Sequence, residues 1–205
     1  MSSGFARGFP VGYEDVDVLE LAGYTAGLSA GLAKALADVD DADLTAAARG
    51  GFVAVPAGRV RDGATVVEHP MAEAEGVAIL DVRLPAGLVL LRHAGNRPEV
   101  VGLRLAAVRI GLTRRLLDHA MEQPRRDRVL LRGIADVVSA LEPLRHQLVS
   151  MTQHPPRAAV AEVHARLDGL GWQVARLFWP DGYRADHPVR ALFVAELVAN
   201  TWLGT

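Results

Sequence analysis

Residues 177–205 read LFWPDGYRADHPVRALFVAELVANTWLGT, and this stretch sets the fold class. Leu177-Phe178 closes one helix and Gly182-Tyr183 makes a tight turn. Asp186-His187-Pro188-Val189 then opens another helix, with Asp186 as its N-cap, that runs to Trp202. Further back, Pro155-Pro156 suits the first turn of a helix reaching Phe178, and another helix fits Gly133–Met151. Residues 99–123 form one long helix that stops at Pro124, whose ring and missing N–H cannot continue it. Along it Val101, Leu105, Val108, Leu112 and Leu116 recur at helical spacing. Four helices on short connections predict an antiparallel four-helix bundle over residues 96–205, so the chain is mainly α.

Upstream the texture changes twice. Between residues 51 and 95, short apolar runs are punctuated by Gly and Pro: Phe52–Val55, Gly58–Val60, Ala64–Val67, Gly76–Leu80 and Gly87–Leu91. These read as strands of a short β segment. Residues 1–50 favour helix, with pieces expected at Val16–Val39 and Ala42–Ala48. Gly23, Gly27 and Gly31 recur every four residues and share one helical face, with Ala35 next. Each helical glycine costs about 1 kcal/mol relative to alanine. Such a flat stripe therefore predicts close packing against another backbone.

Composition narrows the function. A net charge of −2 gives no electrostatic case for nucleic acid. Cysteine is absent, which removes disulfides, thiolate catalysis and thiolate metal sites. The N-terminal residues lack the apolar core of a signal peptide. Leu21–Ala33, the longest uncharged run nearby, is too short and too rich in glycine to span a membrane. A cytoplasmic protein without a membrane segment is expected. Gly27-Leu28-Ser29-Ala30-Gly31 matches a nucleophile-elbow pattern, but its helical flanks are wrong for that motif and the glycine stripe explains the spacing. The histidines form no pair at i, i+3 or i, i+4 to clamp a metal. His146, His154 and His164 read as surface or helix-end residues.

The C-terminal stretch resembles the closing signature of acyl-CoA dehydrogenases. That family carries Gly-Gly-x-Gly-Tyr, three residues, Tyr-Pro-Val-Glu-Arg, then Arg-Asp-Ala, and ends the helix on Glu-Gly-Thr. Gly182, Tyr183, Pro188, Val189, Gly204 and Thr205 fall on family positions without a gap. Asp81-Val82-Arg83-Leu84-Pro85-Ala86 resembles the family's exit from its β-domain, and Arg109-Ile110-Gly111-Leu112-Thr113 its first bundle helix. The resemblance covers Gly76 to Thr205. Family members also carry a complete N-terminal helical domain and a full β-barrel, which the first 75 residues cannot both supply.

The resemblance implies flavin chemistry on acyl thioesters, with FAD as cofactor, and it also shows what this chain has replaced. The family's glutamate removes the α-proton while the β-hydrogen leaves as hydride to the flavin. Leu203 stands at its usual position. Val101 and Gly102 stand where some members place the base instead. Glu196 lies two turns before Leu203, about 10 Å along the helix, and Glu99 lies two residues from the alternative position. The family's paired glycines, which let the cofactor approach, are Trp179-Pro180, and its Arg-Asp pair is Val194-Ala195. In the Arg-x-x-Phe-Gly motif that reaches the neighbouring subunit's cofactor, Arg128 keeps the arginine while Leu131-Arg132 replace Phe-Gly. Arg125, Arg126, Arg128 and Arg132 suit a pyrophosphate or a solvated loop equally. Residues implied to lie at the cofactor are Arg128, Gly182, Gly204 and Thr205.

Three functions follow from this pattern. The chain is a degenerate subunit that pairs with a full-length dehydrogenase in a homo- or hetero-oligomer. Alternatively, it is an active FAD-dependent dehydrogenase with a relocated base, or a non-enzymatic bundle that binds a partner.

Overall fold

Close backbone packing organises the N-terminal half. Helix α1 (Tyr13–Ala35) lies along α3 (Pro98–Glu122), its main partner. Gly23 meets the backbone of Val108, and a Cβ on Gly31 would sit 2.5 Å from the Val108 side chain. Gly111 on α3 answers them by receiving the Glu20 carbonyl of α1. The expected stripe is therefore two glycines from one helix and one from its partner. Gly27 has a different role, because its φ of +83° breaks the helical geometry of α1 where an L-residue would be strained.

The structure, a computed structural model, describes residues 13–39, 51–82, 98–124, 127–152, 155–184 and 186–203. The expected helix at Ala42–Ala48 and strand at Gly87–Leu91 lie outside them, as do Arg83–Ala86, Arg125, Arg126, His154, Gly204 and Thr205. Among the described residues the chain is mainly helical with one small sheet. Strands β1 (Phe52–Pro56), β2 (Val66–Val67) and β3 (Val77–Asp81) form an antiparallel sheet in the order β1-β3-β2. Gly58-Arg59, expected in a strand, lie instead in a 3-10 turn spanning Ala57–Arg59. Its Arg59 guanidinium reaches back to the carbonyls of Leu36 (2.9 Å) and Val39 (2.7 Å) just beyond α1. A short helix α2 (Pro70–Ala74) precedes β3, capped by the His69 ring, which accepts from the Ala72 N–H.

Helices α4 (Arg128–Ser150), α5 (Arg157–Leu177) and α6 (Arg190–Leu203) complete the chain. Contacts between their ends fix their directions. The start of α3 at Gly102 meets Val160 near the start of α5 and Leu203 at the end of α6. Gly133 near the start of α4 meets Leu177 at the end of α5. Those contacts place the start of α3 with the start of α5 and the end of α6, and the start of α4 with the end of α5. Two helix starts differ from expectation. Asp127 caps α4, its carboxylate accepting from the Leu130 N–H at 2.9 Å, six residues before the expected Gly133 start. Asp186 does not cap α6; it pairs with Arg184, and the His187 ring accepts from Val189 instead.

The core runs between the layers through Leu28 and Leu32 of α1 and Leu36 just beyond it, Leu103 and Ile110 of α3, Leu144 and Leu148 of α4, and Trp202 of α6. A charged network closes the α1–α3–α4 seam. Buried Glu20 pairs with Arg114 and Arg145, Arg145 also holds Asp17 at 2.6 Å, and Arg114 holds Glu142 at 2.5 Å. The outer edge of β1 is covered by α6. The Ala54 N–H donates to the Thr201 hydroxyl at 3.2 Å, and its carbonyl accepts from the Trp202 indole N–H at 3.0 Å. Covering an edge strand removes a template for pairing with another chain. No described helix is long and apolar enough to cross a membrane.

Candidate functional site

Three places bear on function: the two base positions named by the resemblance, a cleft at one end of the helical group, and a charged cluster inside it. The base positions meet. A Cβ on Gly102 would lie 2.7 Å from Leu203 Cδ2 and 2.9 Å from Val160 Cγ1. Leu203 is 2% exposed and Val101 1%, so apolar side chains fill the place where α3 and α6 converge. Arg157 of α5 donates to the Leu203 carbonyl at 2.5 Å and closes the helix end. No carboxylate stands at either position. Glu99 and Glu196 lie elsewhere: Glu99 is half-buried at the start of α3, and Glu196 faces Asp168 and Arg109.

The cleft, of about 680 Å3, lies at the other end, between the start of α4 and the turn joining α5 to α6. Leu130, Leu177, Phe178 and Pro188 give it apolar walls, while Asp127, Asp181 and Asp186 face Arg176 and Arg184 around it. This mixture favours no single charge of ligand. The turn between α5 and α6 is shaped by Gly182, whose missing side chain admits the Ala175 carbonyl, and its N–H donates to Phe178 at 2.9 Å. Trp179 lines the cleft and remains 70% exposed. Phe178 lies between His119 and His187, with ring centres at 5.5 and 4.8 Å. Burial, then the neighbouring His119, holds His187 below the usual histidine range. Arg128 is exposed on the first turn of α4, next to cleft residues Asp127 and Val129. The cleft thus brings together the Arg128 region and the Trp179–Gly182 region, 50 residues apart. The partners of Gly182 at the chain end, Gly204 and Thr205, lie outside the described residues.

The internal cluster was not anticipated. Arg109 on α3 and His164 on α5 are each 3% exposed. Arg109 holds Asp168 through one terminal nitrogen, while the other donates to His164 Nδ1 at 2.9 Å. An arginine can only donate, so Nδ1 accepts and the proton sits on Nε2, which donates to the Gly102 carbonyl at 2.8 Å. His164 is thus an interior residue and not the surface or helix-end one expected. Its place could have been read from phase, since it shares a helical face with Val160 and Leu167. Arg109, which shares a helical face with Leu105 and Leu112, gave the same signal.

Burial, and then the charge on Arg109, push His164 down to about 3. Burial also lowers Arg109, while Asp168 and then Glu196 support its charge. Glu196 is raised by burial and by Asp168. Arg109 Nε has no hydrogen-bond partner. The cluster locks α3 to α5 but presents no nucleophile or open metal position, and no group of three metal-ligating side chains occurs among the described residues. Ser29, inside the elbow-like pattern, donates to the Gly76 carbonyl at 2.9 Å and serves packing.

A histidine held neutral in the fold and free to protonate when unfolded makes stability depend on pH. With a folded value near 3 and an unfolded value of about 6.5, its contribution is complete above pH 6.5 and is lost as pH falls toward 3. Between pH 6.5 and 5 the loss from this residue is about 2 kcal/mol. Urea unfolding at both pH values should show that difference in the wild type and a shallower one in His164→Gln. Equal slopes would mean that His164 carries a proton in the folded protein.

Compared with known proteins, the chain matches no family model, no curated protein and no solved structure.

Proposed function

We propose that this chain is a helical subunit of acyl-CoA dehydrogenase type without its own active site, which packs against a complete flavin-dependent dehydrogenase and supports that enzyme's cofactor site. One observation carries the reading. The two alternative base positions, far apart in sequence, converge so closely that a Cβ on Gly102 would lie 2.7 Å from Leu203 Cδ2, and leucine and valine side chains close the space. Convergence supports a bundle of the dehydrogenase type over residues 96–205. Closure argues against a thioester held between α3 and α6, because a general base must reach the carbon it deprotonates.

The residues present do not fit a flavin ring within this chain alone. Trp179, on the cleft lining, and Pro180 next to it in sequence stand where the resemblance requires glycines. What remains is Arg128, exposed beside that lining and suited to bidentate contact with a phosphate of FAD held by a partner subunit. FAD when bound would supply the hydride acceptor, and the role of this chain would be confined to holding its phosphates.

The test is the visible spectrum. Purified alone, the protein should be colourless. Co-expressed with a full-length dehydrogenase encoded beside it, it should co-purify as a yellow complex. Arg128→Ala should lower flavin retention in that complex several-fold without dissociating it. A solo preparation that is yellow and oxidises acyl thioesters would favour the alternative of a relocated base. Flavin retention indifferent to Arg128→Ala would remove the role given to that arginine.

A further inference from the structure

Helix α5 carries an outward seam with an unusual composition. Glu162, Ala165, Gly169, Trp172 and Arg176 follow one another at alternating steps of three and four residues, and all are exposed. That spacing keeps residues in one line along a helix facing a partner helix. Soluble helices ordinarily fill such a line with charged or polar side chains. Here its middle is nearly flat and is followed by an indole that is 49% exposed. Trp172 also heads an aromatic cluster, with Phe193 at 4.9 Å and Tyr183 at 6.2 Å, and Trp179 lies edge-on to Tyr183 at 5.5 Å. A cluster of partly exposed aromatic rings is a common mark of an interface.

Gly169 needs explanation, because mid-helix glycine is unfavourable by about 1 kcal/mol relative to alanine. Elsewhere in this protein helical Gly23, Gly31 and Gly111 each admit another segment, and a Cβ there would collide with it. A Cβ on Gly169 would meet nothing within 4 Å. Nothing among the described residues uses its missing side chain.

The seam is complementary to itself. If two copies of α5 cross antiparallel with Gly169 on the symmetry axis, residues equally far before and after it face each other. Trp172, three residues after, falls over Ala165, four residues before, so the largest side chain meets one of the smallest. Arg176 and Glu162, each seven residues from Gly169, face each other with opposite charge. A two-fold axis produces every such contact twice.

We propose that the chain forms a two-fold dimer through α5, crossing at Gly169, with Trp172 of each copy lying on Ala165 of the other and Arg176 paired with Glu162 of the other. Tyr183 and Trp179 extend the contact toward the start of the second copy's α5. The dimer shares Arg176 and Trp179 with the cleft lining, whereas the flavin-supporting role rests on Arg128, which the dimer contact does not include.

Light scattering on the eluted peak of the purified chain, at micromolar concentration, tests it. The expected mass is twice 21.9 kDa. Gly169→Arg, which has open space in the single chain, should give a monomer with unchanged helicity and undiminished thermal stability. Trp172→Ala should weaken association tenfold or more. Arg176→Glu alone should do the same, and adding Glu162→Arg should restore the dimer by reversing the pair. A monomeric wild type overturns the proposal, as does a dimer that survives both Gly169→Arg and Trp172→Ala. In either case a yellow complex with a dehydrogenase would leave the cleft assignment standing.

Discussion

Asp168→Ala is expected to destabilise the protein by about 3 kcal/mol, the lower end of the cost of removing one partner of a buried ion pair, because the Asp168 side chain is 27% exposed. Arg109 is 3% exposed and holds Asp168 directly; without that carboxylate its charge faces only the neutral His164 ring and the more distant Glu196. For a chain of this size the loss corresponds to a fall in Tm of about 10 °C. Glu196 is the one nearby group that could substitute, so Asp168→Ala combined with Glu196→Gln should be worse than either change alone. Adding Arg109→Met to Asp168→Ala should recover most of the loss, because an apolar side chain of similar length leaves no stranded charge. Denaturant unfolding of the three variants gives the answer. If Asp168→Ala stays within about 1 kcal/mol of wild type, the common result of removing an exposed pair, Arg109 does not depend on its carboxylate.

Gly111→Val should be nearly as damaging, for a reason of shape alone. A Cβ on Gly111 would overlap the Glu20 carbonyl and approach the Tyr24 amide nitrogen at 2.8 Å, and neither backbone atom can swing aside. Either α1 moves off α3 or the helices distort; overpacking of this kind costs about 1–3 kcal/mol and occasionally more. The upper end is expected here, because Glu20 also anchors Arg114 and Arg145. Gly171→Ala is the matching control, since its Cβ would meet Leu192 at an ordinary 3.7 Å. Replacing that helical glycine should raise stability by up to about 1 kcal/mol. Thermal melting should move in opposite directions for the two variants; a shared direction would contradict the packing described for α1 on α3.

The long elements were legible because local chemistry and spacing agreed. Pro124 and Pro155-Pro156 bracket helices whose apolar residues keep a helical period, and α3 and α5 end within a residue of the expected places. Short elements were less so. Gly58-Arg59 carried strand-like neighbours, yet Arg59 is drawn to the carbonyls beyond α1, a tertiary contact that no local pattern encodes. The Pro70–Ala74 turn of helix was hidden for the same reason, being too short to show a period. Asp186 looked like a cap by residue type, but Arg184 two residues earlier engages it first.

The candidate site divides in the same way. Leu203 and the Val101-Gly102 position were marked only by resemblance, and the approach of Gly102 to Leu203 is a property of helix ends that sequence distance conceals. Arg128 and Gly182 were named, but the cleft between their neighbours depends on how the start of α4 meets the end of α5. His164 was passed over because a lone histidine is read as a surface or helix-end residue by default, even with Val160 and Leu167 in phase on its helix.

The covering of β1 by α6 also sets an order of events. During synthesis the three strands emerge more than a hundred residues before Thr201 and Trp202, the groups that engage Ala54. A nascent chain therefore carries a bare sheet margin until its last helix has been made. The strands and the final helix must be completed together, and the interval before that is when this protein is most exposed to mispairing.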